Sequence, residues 1–246
     1  MAIHFFSYGD EKYTKSKIRI KNEAQNFKLF DEIKIYSRED ISDEFIKKTS
    51  PYINMNRGGG YWLWKPFFLK KTFDKMEYGD YCVYVDAGCT INPFGIERFN
   101  YYIDLLEKSD SGIFRFSFPG TKEKLFTTQK VFEFFEKDEE EFKSSDHLMA
   151  TILIFKKCKI STEYVNRLYE TSINNPSIFS DEYNEIKKND GFLDHRHDQS
   201  VSSCLAKIIS NDLVLITDET YAADNEGWRN LFYEKKIPFL STRIRQ

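Results

Sequence analysis

This 246-residue chain has little histidine, proline, glycine or cysteine: 4 His, 6 Pro, 11 Gly and 4 Cys. Cys82, Cys89, Cys158 and Cys204 form neither a C-x-x-C pair nor a Cys/His zinc spacing. A disulfide framework and a structural zinc site are therefore not indicated, and a reducing compartment fits best. Neither sign of charge prevails, since 36 basic residues meet 39 acidic ones for a net charge of -3. That balance argues against a nucleic-acid footprint or a polybasic membrane patch. Long apolar runs are missing as well. The run after Met1 is broken by His4 and ends by Asp10, too short for a signal peptide, and no later stretch approaches a membrane span. We expect a soluble, intracellular (cytoplasmic) protein with no nucleic-acid partner. Repeats, linkers and low-complexity segments are also lacking, so the default is one domain over 1–246.

Aromatic residues are abundant, at 17% of the chain with 23 Phe and 15 Tyr. Much of that must be core, and part can line a site for flat or ring-shaped ligands. "AIHFFSY", "EIKIYS", "DYCVYVDAGCTI", "GIFRFSF", "LMATILIF" and "LVLIT" read as strands. Helical patterns alternate with them over "EKYTKSKIRIKNEAQNF", "PFFLKKTFDKM", "GIERFNYYIDLLEKSD", "TTQKVFEFFEKDEEEF", "STEYVNRLYETSI" and "DQSVSSCLAKII". The interval from Asn174 to Asp194 carries no clean period, and the tail from Asp218 reads as irregular. Alternating β and α units predict an α/β fold with one mostly parallel central sheet flanked by helices. Ligands in such sheets sit outside the carboxyl ends of the strands.

Three segments carry candidate chemistry. Asp86 in "VYVDAGC" ends a strand, where a carboxylate can meet a metal or a ribose hydroxyl, and Ala87 and Gly88 permit close backbone approach. Asp86 can equally begin a turn with Gly88. Arg57 and Lys65 bracket the glycines and aromatics of "RGGGYWLWKP", where glycines permit close backbone approach to a ligand. A flexible surface loop is the alternative. Were the segment extended, Trp62 and Trp64 would share one face and Tyr61 the other, one tryptophan packing and one open to a flat or ring-shaped ligand. "DHRHDQS" gathers two carboxylates, two imidazoles and a guanidinium before a helix, with Asp198 placed as N-cap.

The order "RGGGYWLWKP", "GDYCVYVDAGC", "HRHDQS" resembles the small GT-A nucleotide-sugar glycosyltransferases of viral and bacterial polysaccharide synthesis, the chlorovirus capsid-glycan transferases among them. The likeness spans most of the chain. It implies a Rossmann-like nucleotide-binding half (about 1–110), an acceptor and catalytic half (about 111–246), a nucleoside diphosphate donor such as a UDP-sugar, and a glycan acceptor. It also implies a divalent cation, Mn²⁺ or Mg²⁺, on a DxD motif. Here that motif is Asp86-Ala87-Gly88 and lacks its second carboxylate. Asp86 can hold a cation through one oxygen, with His197 as a further ligand, or bind the ribose instead. Carried onto this sequence, Ser7, Tyr8 and Gly9 meet the nucleotide, with Tyr61, Trp64, Asp86, Ala87 and Gly88 also on the donor side, and Arg57 and Lys65 beside the glycine amides offset the charge of the leaving diphosphate. Trp62, Asp146, His147 and His195 fall on the acceptor side. Asp198 is the candidate base of an inverting displacement, taking the proton of the attacking hydroxyl. Retention stays open, and oligomeric state is not set by the sequence.

Two other classes use the same residues. A degenerate transferase fold can bind a nucleotide-sugar or glycan without turnover. A metal-dependent phosphoesterase using Asp86, His195, His197 and Asp198 would need two close metals. A dinucleotide oxidoreductase is disfavoured because "GGG" does not follow a strand in G-x-G-x-x-G spacing.

Overall fold

The structure is a computed structural model that describes residues 1–182 and 190–244. Counting helices of ten residues or more, its elements run β1 (Ile3–Tyr8), α1 (Thr14–Phe27), β2 (Glu32–Tyr36), α2 (Trp64–Phe73), β3 (Tyr81–Val85), β4 (Thr90–Ile91) and α3 (Ile96–Glu107). They continue with β5 (Ile113–Lys122), β6 (Asp146–Leu148), β7 (Ile152–Lys156), α4 (Lys159–Asn174), α5 (Asp198–Ile209), β8 (Val214–Thr217) and β9 (Phe239–Leu240).

Seven strands form the central sheet in the order β2-β1-β3-β7-β5-β6, with β8 also pairing β5. Parallel pairing joins β1 to β2 and β3, and β5 to β8, while β7 and β6 run against their neighbours. Most of the sheet therefore points one way, with β7 and β6 reversed. Both faces are covered. Phe6 and Tyr84 join Phe68, Phe155 and Tyr164 in one core, whereas Phe5, Val83 and Val85 join Phe27, Phe99 and Phe114 in the other. The period of two along β1 and β3 divides the apolar residues between the layers. β3 is buried at every position, as befits a central strand covered on both sides.

Helix α1 buries Ile20, Ala24 and Phe27, one stripe at helical spacing. Helix α2 differs, because Trp64, Lys65, Pro66, Phe67, Phe68, Leu69, Thr72 and Phe73 are all buried and only Lys70 and Lys71 keep partial contact with solvent. Pro66 is tolerated in its first turn, where the missing N–H has no intrahelical partner to lose.

Several expectations are revised. "LMATILIF" is two strands, and the break at Met149, Ala150 and Thr151 lets β6 leave β7 and pair with β5. The helix expected over "TTQKVFEFFEKDEEEF" divides into Gln129–Phe134 and Glu140–Lys143, with Glu136 at φ 53 between them. "DYCVYVDAGCTI" stops as a sheet strand before Asp86, and its end, β4, pairs with β9 from the tail. Within the irregular interval from Asn174 to Asp194, Pro176–Phe179 forms a 3-10 turn, and residues 183–189 lie outside the described residues. No described helix is long and apolar enough to cross a membrane.

Candidate active site

The parallel strands β1 and β3 end side by side at Tyr8 and Val85, and the chain leaving them opens a cleft of about 650 Å³. Tyr8 and Gly9 line it from the first strand, and Asp86, Ala87 and Gly88 from the second. The glycine segment adds Arg57, Gly58, Gly59, Trp62, Trp64 and Lys65, and the start of α5 adds His195, Arg196, His197, Asp198 and Gln199.

At its base lies an ionic triad. The Lys65 ammonium is 2.6 Å from Asp198 Oδ2 and 3.6 Å from Asp86 Oδ1, and it donates to the Ala150 carbonyl at 3.0 Å. Burial pulls the Lys65 pKa down, but Asp198 and Asp86 outweigh it and the net direction is up. Burial pushes the Asp198 pKa up against the opposing pull of Lys65, and the net direction is again up. Asp198 is 6% exposed and Lys65 4%, whereas the Asp86 side chain keeps 33%. Asp86 also accepts from the Tyr84 hydroxyl beneath it. One carboxylate thus faces the cleft and the other is sheltered. Asp198 is the first residue of α5 rather than its cap. The cap position belongs to His197 at φ 51 and ψ -119, a rare conformation for a side-chain-bearing residue at a candidate site.

The glycine segment is not extended. Gly58–Tyr61 form a helical turn, and five successive residues from Gly58 to Trp62 have positive φ, from 52 to 99°. A Cβ on Gly60 would stand 2.3 Å from the Ile53 carbonyl oxygen, and one on Gly58 would stand 2.2 Å from the Trp62 ring. Glycine is required at both places for its conformation and for the space it leaves. The amides of Gly59, Gly60, Tyr61 and Trp62 donate to Asn56, Arg57 and Gly58 carbonyls, so they are spent inside the turn and are not offered to a diphosphate. The same turn separates the two tryptophans. Trp64 is buried, stacked on Tyr8 at 4.0 Å and bonded through Nε1 to the Gly58 carbonyl. Trp62 is half-buried and stacks on His197 at 5.1 Å.

Tyr8 has one ring face covered by Trp64, and burial lifts its phenol to about 12. Stacking on a base is therefore not the geometry on this face. Ser7 lies below the cleft, its hydroxyl donating to the Val85 carbonyl at 2.7 Å and tying β1 to β3. Tyr61 stands behind the lining against His197. Asp146 and His147 belong elsewhere. Asp146 pairs with Lys122 at 2.8 Å, and His147 Nδ1 is 2.6 Å from the buried Glu123. His195 lines the cleft with Nε2 on the Ile178 carbonyl, and burial, then His197, lowers its pKa to about 3.

The donor set does not fit a divalent cation. Asp86 faces an ammonium and a phenol, while His197 places Nδ1 on the Phe179 carbonyl and has Nε2 enclosed 3.8 Å from Asp181. Among the described residues no group of three His, Cys, Asp or Glu converges for metal binding.

No protein-family model matches the chain, and no curated protein matches it. Solved structures do. A glycosyltransferase involved in glycosylation of the major capsid of PBCV-1 aligns at a TM-score of 0.51 and 13% identity, over 98% of this chain and 93% of that one. The fold is GT-A-like. Mouse xyloside xylosyltransferase 1 in its apo form aligns at 0.49 and 9% identity, over 98% and 97% of the two chains. The galactosyltransferase LgtC, with donor and acceptor sugar analogues, aligns at 0.41 and 11%, over 99% and 84%. At such identities the likeness is one of fold, and the chemistry rests on the cleft's own residues.

Sequence reasoning missed part of the lining. Gln199 accepts from the Ala150 amide at 3.2 Å, and Arg196 lies on the rim, both inside the "HRHDQS" motif beside the residues singled out. Arg243 had no local signal. It reaches the cleft because the tail folds back, with the Ile244 amide donating to the Gly88 carbonyl at 2.8 Å and Arg19 holding the Ala87 carbonyl at 2.9 Å.

Proposed function

We propose that this protein is a glycosyltransferase that moves one sugar from a nucleoside diphosphate donor, a UDP-sugar foremost, to a hydroxyl of a glycan acceptor. The observation that carries this reading is the triad of Asp198, Lys65 and Asp86 at the carboxyl ends of β1 and β3, inside a cleft large enough for a nucleotide-sugar. Asp198 acts as general base in an inverting displacement. As the acceptor hydroxyl attacks the anomeric carbon, its proton passes to the Asp198 carboxylate and the bond to the nucleoside diphosphate breaks with its electron pair. A carboxylate whose pKa is raised by burial is a stronger base than one in water. Lys65 keeps it ionised and fixes its orientation. Asp86 is the exposed partner and takes a donor hydroxyl, and Trp62 offers an aromatic edge to a sugar.

This assigns Lys65 a different task from the one expected. Its charge is committed to two carboxylates, so the diphosphate must be met by other cations. No step is routed through a metal, because Asp86 and His197 do not make a donor set. A non-catalytic binding module is the competing reading, favoured by the near-complete shelter of Asp198. A two-metal phosphoesterase lacks its converging ligands among the described residues.

Release of nucleoside diphosphate from a panel of UDP- and GDP-sugars, with glycan acceptors and with or without EDTA, tests the proposal. Turnover that survives chelation is expected. Binding of a donor by thermal shift with no release from any donor would give the site to the module.

A further inference from the structure

The cleft carries more positive charge than its carboxylates occupy. Lys65 is held by Asp86 and Asp198, and Arg57 is shared by Asp181 and Asp194 at 3.6 Å each. Arg196 and Arg243 also line the cleft, both exposed, and neither makes an ion pair among the described residues. They arrive from opposite directions. Arg196 lies two residues before Asp198, its guanidinium 4.3 Å over the Phe126 ring and its backbone N–H on the Phe126 carbonyl and Ser200 Oγ. Arg243 comes from the tail at φ 55, in the left-handed region, with its Cα 3.5 Å from where a Gly88 side chain would begin. Burial lowers the pKa of Arg196, with Asp194 drawing it up and Arg243 pressing it down, so the two guanidinia stand within electrostatic reach of each other. An anion bound between the two forks would relieve this repulsion and accept hydrogen bonds from both.

We propose that Arg196 and Arg243 form the subsite for the donor's diphosphate, an assignment that rests on the transferase reading. Two planar forks match two phosphate groups, as a single ammonium held by carboxylates cannot. Gly88 lies directly against the tail, a Cβ there standing 3.4 Å from the Ile244 carbonyl oxygen and 3.5 Å from the Arg243 Cα, so this packing brings Arg243 to the cleft. Asp86 and Asp198 leave the triad one negative charge in excess, so this subsite must lie at the rim, away from the base.

Isothermal titration in EDTA, with inorganic pyrophosphate and with uridine as separate probes, tests the subsite without requiring turnover. We expect Arg196→Ala and Arg243→Ala each to weaken pyrophosphate binding roughly tenfold, and the double variant roughly a hundredfold. Arg243→Lys should fall between wild type and Arg243→Ala, because it keeps the charge and loses the fork. Uridine affinity and thermal stability should not move, nor should binding by the control Lys235→Ala, an exposed residue outside the cleft. Pyrophosphate affinity in the double variant within threefold of wild type overturns the assignment. So does a wild-type protein that takes no millimolar pyrophosphate, or takes it only with a divalent cation. Loss of sugar transfer from every donor, with arginine-dependent pyrophosphate binding intact, would instead remove the transferase reading and leave the anion site standing.

Discussion

Two buried ionic clusters in this protein look alike on paper and differ in what they leave open. The first is Lys65 with Asp86 and Asp198. The second is Glu123, fully buried, with His147 at 2.6 Å, Lys207 at 2.6 Å, the Ser203 hydroxyl, and Thr127 at 2.9 Å. Lys207 donates further to Ser145 Oγ and the Asp146 carbonyl, so the second cluster sews α5 to β6 and to the segment before it. Burial alone would raise the Glu123 pKa, yet His147 and Lys207 outweigh it and hold it near 2. In the first cluster the balance tips the other way. Asp198 has one cation for company, and its proton affinity rises. A sealed cluster with every oxygen satisfied holds a fold together, whereas one that leaves a carboxylate basic beside a cleft is placed for chemistry.

The largest expected effect breaks that contrast at the cleft. Asp198→Asn keeps the size of the side chain and loses the base, so turnover should fall by roughly 10²- to 10⁴-fold. Donor affinity should change by less than threefold, because the diphosphate is held elsewhere. Steady-state kinetics together with titration of UDP separate the two quantities. Near-normal turnover in this variant would return Asp198 to a structural role like that of Glu123.

Next comes the sealed cluster. Glu123→Ala strands a buried imidazole and an ammonium, a change that costs about 3–5 kcal/mol where one partner of a buried pair is removed. For a chain of this size the melting temperature should drop on the order of 10 °C. Turnover per folded molecule should hold. A variant that melts normally and loses activity would mean that the two clusters had been assigned the wrong way round.

The sequence made much of this legible, for identifiable reasons. β3 is a continuous apolar run and β1 is one interrupted only by His4 and Ser7, so their type and the place of Asp86 at a strand end could be read directly. That the segments carrying Lys65, Asp86 and Asp198 share one site followed from the resemblance in motif order and not from spacing, since 21 residues and then 112 separate them, but their mutual ion pairing was not foreseen. What the sequence hid was tertiary. Asp146 and His147 looked available because nothing local shows that Lys122 and Glu123 claim them. The glycine run looked like a loose loop because a left-handed turn that consumes its own amides leaves no periodic trace. Arg243 could not be found at all, because its place depends on the tail pairing with β4.

A smaller effect probes that turn, which has no counterpart at the sealed cluster. Gly60→Ala must accommodate a Cβ 2.3 Å from the Ile53 carbonyl oxygen at φ 99, so a loss of about 2–3 kcal/mol is expected. Gly59→Ala meets nothing closer than 3.5 Å at φ 60 and should cost only about 1 kcal/mol. Chemical denaturation of both variants checks the ranking. Equal losses would mean that the turn is held by something other than its contact with Ile53.

A last test uses acid to separate the regions. Burial, aided by the neighbouring His197, holds His195 near 3, and burial also lowers the His197 pKa. His195 is neutral in the folded protein, His197 resists protonation more than a free imidazole does, and both take up protons near 6.5 when unfolded. Above pH 6.5 neither form gains a proton on unfolding and the two histidines leave stability unchanged. Below it the unfolded chain binds more protons, so stability falls with pH, by up to about 1.4 kcal/mol per pH unit for His195, with His197 contributing in the same direction. Glu123 behaves differently, since its folded pKa is depressed from 4.5 to about 2. Its contribution is complete above 4.5 and is lost only as pH falls from there toward 2. The cleft should therefore begin to weaken the protein between pH 6.5 and 5, before the sealed cluster responds. Urea midpoints at pH 7.5, 6 and 5 should decline in the wild type and decline less steeply in His195→Gln. A flat midpoint over that range would mean that the histidines beside the cleft meet their protons folded as readily as unfolded, and that the cleft end is more open to water than its packing implies.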